Sequence, residues 1–191
     1  MIFIFSRIQY NSPVVITFSI LSFLALVSNV LTEGAANYLL FSVYKSSFTD
    51  PLAYFRIFGH VFGHVSLEHY FNNFVLLLVI GPMLEEKYGW LNMLITMVAT
   101  AFVTGALYLT IFDKALLGAS GIVFMFILLS SFVNLQKGKI PLTLILVITI
   151  FLGREIWSSV NIDDNVSRIA HIAGGLCGAV LGFFMNKDEL R

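Results

Sequence analysis

The 191-residue chain is 58% hydrophobic and only 12% charged, its eleven basic side chains balance eleven acidic ones, and its mean hydropathy is +0.90. That composition excludes an ordinary water-exposed surface and points to an integral membrane protein, while zero net charge without a run of Lys or Arg argues against a nucleic-acid partner. The single cysteine, Cys177, excludes an internal disulfide and a cysteine-based metal cluster.

Six stretches are long or apolar enough to cross a hydrocarbon core, which takes about 20 helical residues: 13–32, 67–84, 90–112, 116–135, 140–160 and 166–185. The first is long for a signal-peptide core and five more follow, so it is read as a helix. The fifth is interrupted by Arg154 and Glu155, which can snorkel to one interface beside Trp157. Between the first two spans lies the longest connection, 33–66, whose Tyr38, Tyr44, Phe48, Tyr54, Phe55, Arg56 and Phe58 make it too apolar to float in water. It is expected to lie partly in the membrane interface. With short connections elsewhere and no internal repeat, residues 1–191 read as one helical membrane domain.

Positive charge orients the chain only weakly. A cytoplasmic N-terminus puts Arg7, Lys87, Lys137, Lys139, Lys187 and Arg191 inside against Lys45, Arg56, Lys114, Arg154 and Arg168 outside. Alternation is more informative: spans two, four and six run the same way, so residues near their N-terminal ends share one side of the bilayer. His69, Asn73, Ser120 and His171 are such residues. At 1.5 Å per residue they lie about 17 to 22 Å from the far ends of their spans, at similar depth.

Those residue types permit one kind of chemistry. His69 and Asn73 are four apart on one helix face, whereas Asn72 points roughly 100° away. An imidazole and an amide so placed can donate hydrogen bonds to a developing oxyanion. Ser120 needs a base to become a nucleophile, and His171 is the only histidine outside the 60–69 region. The assignment is Ser120 as nucleophile, His171 as general base, and Asn73, His69 and the Ser120 backbone N–H as oxyanion donors. Spans two, four and six carry no Asp or Glu in their apolar bodies, so a dyad is expected in place of a triad. Ala170, Gly174, Gly178 and Gly182 recur every four residues, a smooth stripe that permits close backbone approach. Gly118 and Gly121 bracket Ser120 on the facing segment, and Phe124, one turn on, is placed to stack on His171. His60 and His64 read as members of a polar network under the site, Cys177 as an inert packed residue.

The joint pattern of His64-Val-Ser-Leu-Glu-His69 with Asn73, Gly118-Ala-Ser120-Gly121, and Ala170-His171-Ile-Ala-Gly174 with Gly178 resembles the rhomboid family of intramembrane serine proteases over nearly the whole chain. The resemblance implies an all-α, six-transmembrane-helix bundle and cleavage of transmembrane protein substrates near their outer ends, with no cofactor or metal. It also implies a site on the extracytoplasmic side, and a cytoplasmic N-terminus in a bacterial or archaeal cell membrane. Gly81 to Gly89 is similar to the family's pattern at the inner end of the second helix, where Glu85 ties a loop. Phe55-Arg56 stands where many members have Trp-Arg, and Phe124 where Tyr is common; ring area is kept, while the indole N–H and the phenol are lost. Two other classes compete. Four histidines could ligate a metal or haem, although three cluster, the fourth is about a hundred residues away, and no His-Glu-x-x-His is present. A rhomboid-like protein that binds transmembrane helices without cutting them is the other, and the intact serine and histidine argue against it.

Overall fold

A computed structural model describes residues 9–133, 135–137, 139–161 and 165–187, with backbone only for 151, 152, 154–161 and 165–167. Arg7 and Arg191 of the charge comparison, and the side chains of Arg154, Glu155 and Trp157, lie outside the described residues. Seven α-helices follow in order among the described residues: α1 Pro13–Leu31, α2 Pro51–Gly59, α3 Leu67–Tyr88, α4 Trp90–Thr110, α5 Ser120–Ser130, α6 Leu142–Asn161 and α7 Asn165–Met185. A π-helical turn, Asn37–Phe41, precedes α2, and a 3₁₀ turn, His60–Phe62, follows it.

Each of the six apolar stretches thus contains a helix. The fold is an all-α membrane bundle: Pro13–Leu31, Leu67–Tyr88, Trp90–Thr110 and Arg168–Met185 are long and apolar enough to cross a bilayer, and Ser120–Ser130 is a shorter apolar helix. Outward faces of the long helices carry exposed Ile20, Leu24, Phe71, Val75, Val79, Ile95 and Phe183, as lipid contact requires. In contrast α5 is buried on almost every side, from Gly121 through Phe126 and again at Leu128 and Leu129. A helix apolar all round belongs in the middle of a bundle, and α3, α4 and α7 pack around it.

Local sequence explains where the elements begin and end. Pro13 opens α1 at a position whose N–H would have no helical acceptor. The next two donors, Val14 and Val15, are taken by the Glu85 carboxylate from the far end of α3 at 3.0 and 3.1 Å. Glu85 therefore ties the first turn of α1, where the sequence suggested a loop. Ser66 caps α3 by accepting from the His69 N–H at 3.1 Å, which puts His69 in the first turn. Gly89, at φ 81°, ends α3 and turns directly into α4.

The fourth stretch departs most from expectation. Helix over 116–135 was expected, but α5 starts only at Ser120 and stops at Ser130. Leu116 is instead paired with Val43 of the long connection through two backbone hydrogen bonds of 2.9 and 2.8 Å, an isolated antiparallel bridge. Gly118, at φ +120°, cannot continue a helix. The connection is folded, too. Asp50 caps α2 by accepting from Leu52 N–H, and Arg56, buried, bonds the Asp50 carboxylate and Ser46 Oγ with its guanidinium 4.5 Å from the Tyr44 ring centroid. That hydrogen bond from Arg56 holds the Asp50 carboxyl below the ordinary range. Tyr54, Phe55 and Phe58 face outward from α2, as an interfacial segment requires.

Candidate active site

Ser120 is the first residue of α5, so its own N–H and the next two have no helical acceptor. The loop before it is pinned twice: by the Val43–Leu116 pair, and by Gly118 N–H donating to the His60 carbonyl at 2.9 Å. Gly118 is needed for a second reason besides its φ. A Cβ there would lie 2.9 Å from Cε1 and Nε2 of His69, so the absent side chain lets the imidazole sit over the serine loop.

His171 reaches the same place from α7 through the small-residue stripe. A Cβ on Gly174 would come 2.0 Å from the Gly121 carbonyl oxygen, and one on Gly178 would come 2.3 Å from that of Met125. The two helices thus touch backbone to backbone with no side-chain layer between them. Ala170 O, in turn, would be 3.4 Å from a Cβ on Gly121, so Ser120 and His171 flank a shared contact. Phe124 lies against His171 with ring centroids 4.3 Å apart and planes at 39°, the stacking expected of it.

A cavity of about 690 Å³ opens there, and its lining includes His69, Asn73, Ser120, Phe124 and His171. All four residues assigned to chemistry therefore border one hollow. The buried Asn73 amide donates one hydrogen to the His69 carbonyl at 2.9 Å, leaving its second for a ligand. Two polar residues not assigned from sequence also line the cavity. Asn72 does so despite its rotation around α3, and Lys114 stands in the loop before α5. A second hollow of about 520 Å³, between α1 and α4, has an apolar wall that includes Val14, Phe18, Leu94, Met97 and Ile122, and none of the assigned residues.

The remaining histidines support this arrangement. His60 is buried, with Nδ1 2.9 Å from the Ile57 carbonyl and Nε2 3.1 Å from Thr104 Oγ1. Burial pushes its pKa down to about 4, so the ring is neutral. Its Nδ1 faces the Arg56 and Ile57 carbonyls, and Nε2 lies against a Thr104 hydroxyl that is also 2.8 Å from the Thr100 carbonyl oxygen. Thr104 was not readable as part of the network, because a threonine in an apolar helix usually bonds its own backbone. Asn37, equally unforeseen, donates to the His64 carbonyl at 3.0 Å. Among the described residues, no group of three or more His, Cys, Asp or Glu is placed to hold a metal ion.

Comparison with known proteins agrees with the geometry. The Rhomboid domain family matches residues 51–188. Rhomboid-related protein 2 of Mus musculus is 29% identical over 143 residues, which cover 67% of this chain and 47% of that protein. RHOMBOID-like protein 1 of Arabidopsis thaliana is 30% identical over 137 residues, covering 67% of this chain and 33% of that protein. The chain therefore spans less than half the length of either relative. A helical membrane bundle whose loop and helix ends gather His69, Asn73, Ser120 and His171, and a domain match covering most of the sequence, lead to one conclusion: the chain belongs to the rhomboid family.

Proposed function

We propose that this chain is an intramembrane serine endopeptidase that cuts transmembrane segments of partner proteins with a Ser120–His171 dyad. The observation that carries the reading is the cavity bordered jointly by Ser120, His171, His69 and Asn73, at the N-terminus of a buried helix. A substrate helix must unwind locally to enter, because helical carbonyls are hydrogen-bonded and shielded; Gly, Pro or polar residues should mark susceptible segments. Ser120 Oγ attacks the exposed carbonyl carbon while neutral His171 takes its proton. The oxyanion accepts from the Ser120 N–H, the free Asn73 amide hydrogen and His69. On collapse the C–N bond breaks and His171 returns the proton to the leaving amine. Water then attacks the acyl-enzyme, giving its proton to His171 and finally restoring the Ser120 hydroxyl.

The same reading places the N-terminus in the cytoplasm of a cell whose outer leaflet the site faces. No metal or cofactor enters any step. The test is labelling with a fluorophosphonate probe in detergent together with cleavage of a reconstituted transmembrane substrate. Wild type should label and cut; Ser120→Ala and His171→Ala should do neither while melting like wild type. A folded wild type that neither labels nor cuts would instead fit a rhomboid that binds helices without hydrolysing them, and full activity in either variant would remove the dyad.

A further inference from the structure

His64 and His69 stand side by side where the chain enters α3, their ring centroids 4.9 Å apart and their planes at 60°. His64 is fully buried and lies ahead of the helix; its Nδ1 is 3.1 Å from the Phe62 carbonyl oxygen. Burial pushes its pKa down to about 4, so the ring is neutral and carries its hydrogen on Nδ1, toward that carbonyl. His64 Nε2 is then a bare lone pair. It is buried, and among the described residues no group lies within hydrogen-bonding distance of it. His69 Nδ1 is buried and equally unreached.

The other edge of His69, Cε1 and Nε2, faces Gly118 at the serine loop. A ring that donates from that edge carries its hydrogen on Nε2, and its Nδ1 is a second lone pair. Two buried acceptors on neighbouring rings, their centroids 4.9 Å apart, can both be met by one donor with two hydrogens, and buried polar atoms are rarely left unpaired. With the hydrogen on Nδ1 instead, Nε2 would present a lone pair to the loop and repel an anion.

We propose that one bound water between His64 and His69 donates a hydrogen to His64 Nε2 and the other to His69 Nδ1, fixing His69 as the Nε2–H tautomer that faces the Ser120 loop. His64 is thus a positioning residue, acting through the water on a ring it does not itself bond. The choice of tautomer rests on the proteolytic reading above, in which His69 donates from Nε2, but it is measured without any assay of cleavage.

The full chain, labelled with ¹⁵N-histidine in detergent micelles, allows both to be measured. Ring correlation spectra, assigned by single substitutions, should show His69 protonated at Nε2 and bare at Nδ1. Cross-relaxation should connect a slowly exchanging water to the His64 and His69 ring protons. In His64→Phe, which keeps an aromatic ring but no acceptor, the His69 tautomer should become mixed and kcat should fall, by up to about 10²-fold for an impaired oxyanion donor, with KM unchanged. A wild-type His69 protonated at Nδ1, no bound water beside the two rings, or an unshifted tautomer in folded His64→Phe would each overturn the inference. The first two readings need no variant to fold. Cleavage by Ser120→Ala would instead sink the proteolytic reading while leaving the tautomer measurement standing.

Discussion

Replacing Gly174 by Ala tests whether main-chain contact between α5 and α7 sets the geometry of the site. The new Cβ would lie 2.0 Å from the Gly121 carbonyl oxygen where ordinary contact begins at 3.4 Å, so the helices must part by about 1.4 Å. The obstacle is backbone, with no side chain to swing aside. Overpacking of this kind costs about 3 kcal/mol, and the better helix propensity of Ala offsets about 1 kcal/mol, leaving a net loss of about 2 kcal/mol. Activity should suffer more than stability. Gly121 adjoins Ser120 and Gly174 is three residues from His171, and a misplacement of about 1 Å between reacting groups costs about 10²-fold in rate. Thermal unfolding in detergent and kcat on a reconstituted transmembrane substrate measure the two effects, with Gly153→Ala as the control, since among the described residues nothing lies within 4 Å of a Cβ there. Wild-type melting together with wild-type kcat in Gly174→Ala would refute the argument.

Further outcomes are expected at other positions. Asn73→Ala should lower kcat by about 10²-fold if its free amide hydrogen serves the oxyanion, measured in single-turnover cleavage; an unchanged rate removes it from that role. Glu85→Ala should destabilise the bundle by about 3 kcal/mol, because the Val14 and Val15 N–H groups lose their acceptor. Thermal melts read that loss, and the turnover of the protein still folded at low temperature should barely change. Acid should also loosen the fold. His60 and His64 titrate near pH 4 when folded against an ordinary 6.5, so below pH 6.5 the unfolded chain takes up protons that the folded one refuses. Stability is full above pH 6.5 and falls as pH drops toward 4, by up to about 3 kcal/mol for each ring. Unfolding curves that coincide at pH 7.5 and pH 5 would contradict this.

The candidate site was legible from sequence because it is built of groups that are costly in apolar surroundings. Ser120, His171, His69 and Asn73 stand out against their neighbours, and helix alternation alone places them on one side. The four-residue spacing of Gly174 and Gly178 foretold the contact between helices, though not which carbonyls it meets. Hydropathy failed where apolar residues are not helical. Leu116, Leu117 and Ala119 read as the start of a span, yet Gly118 and the pairing of Leu116 with Val43 hold them extended or turned. Nothing local announces a partner seventy residues away, so Glu85 was read as tying a loop when its acceptors serve α1. Thr104 and Asn37 were missed for the same reason, since their roles depend on what tertiary packing sets opposite them.

The brevity of α5 has a consequence for the long connection. Eleven residues make a helix of about 16 Å, barely half of a hydrocarbon core of about 30 Å. Its serine end is continued by irregular backbone, which a bilayer admits only where other polypeptide satisfies its amides and carbonyls. Here Val43 satisfies both groups of Leu116, and the His60 carbonyl receives the Gly118 N–H. The folded connection before α3 is therefore insulation: it supplies hydrogen-bond partners to the non-helical main chain that leads into Ser120.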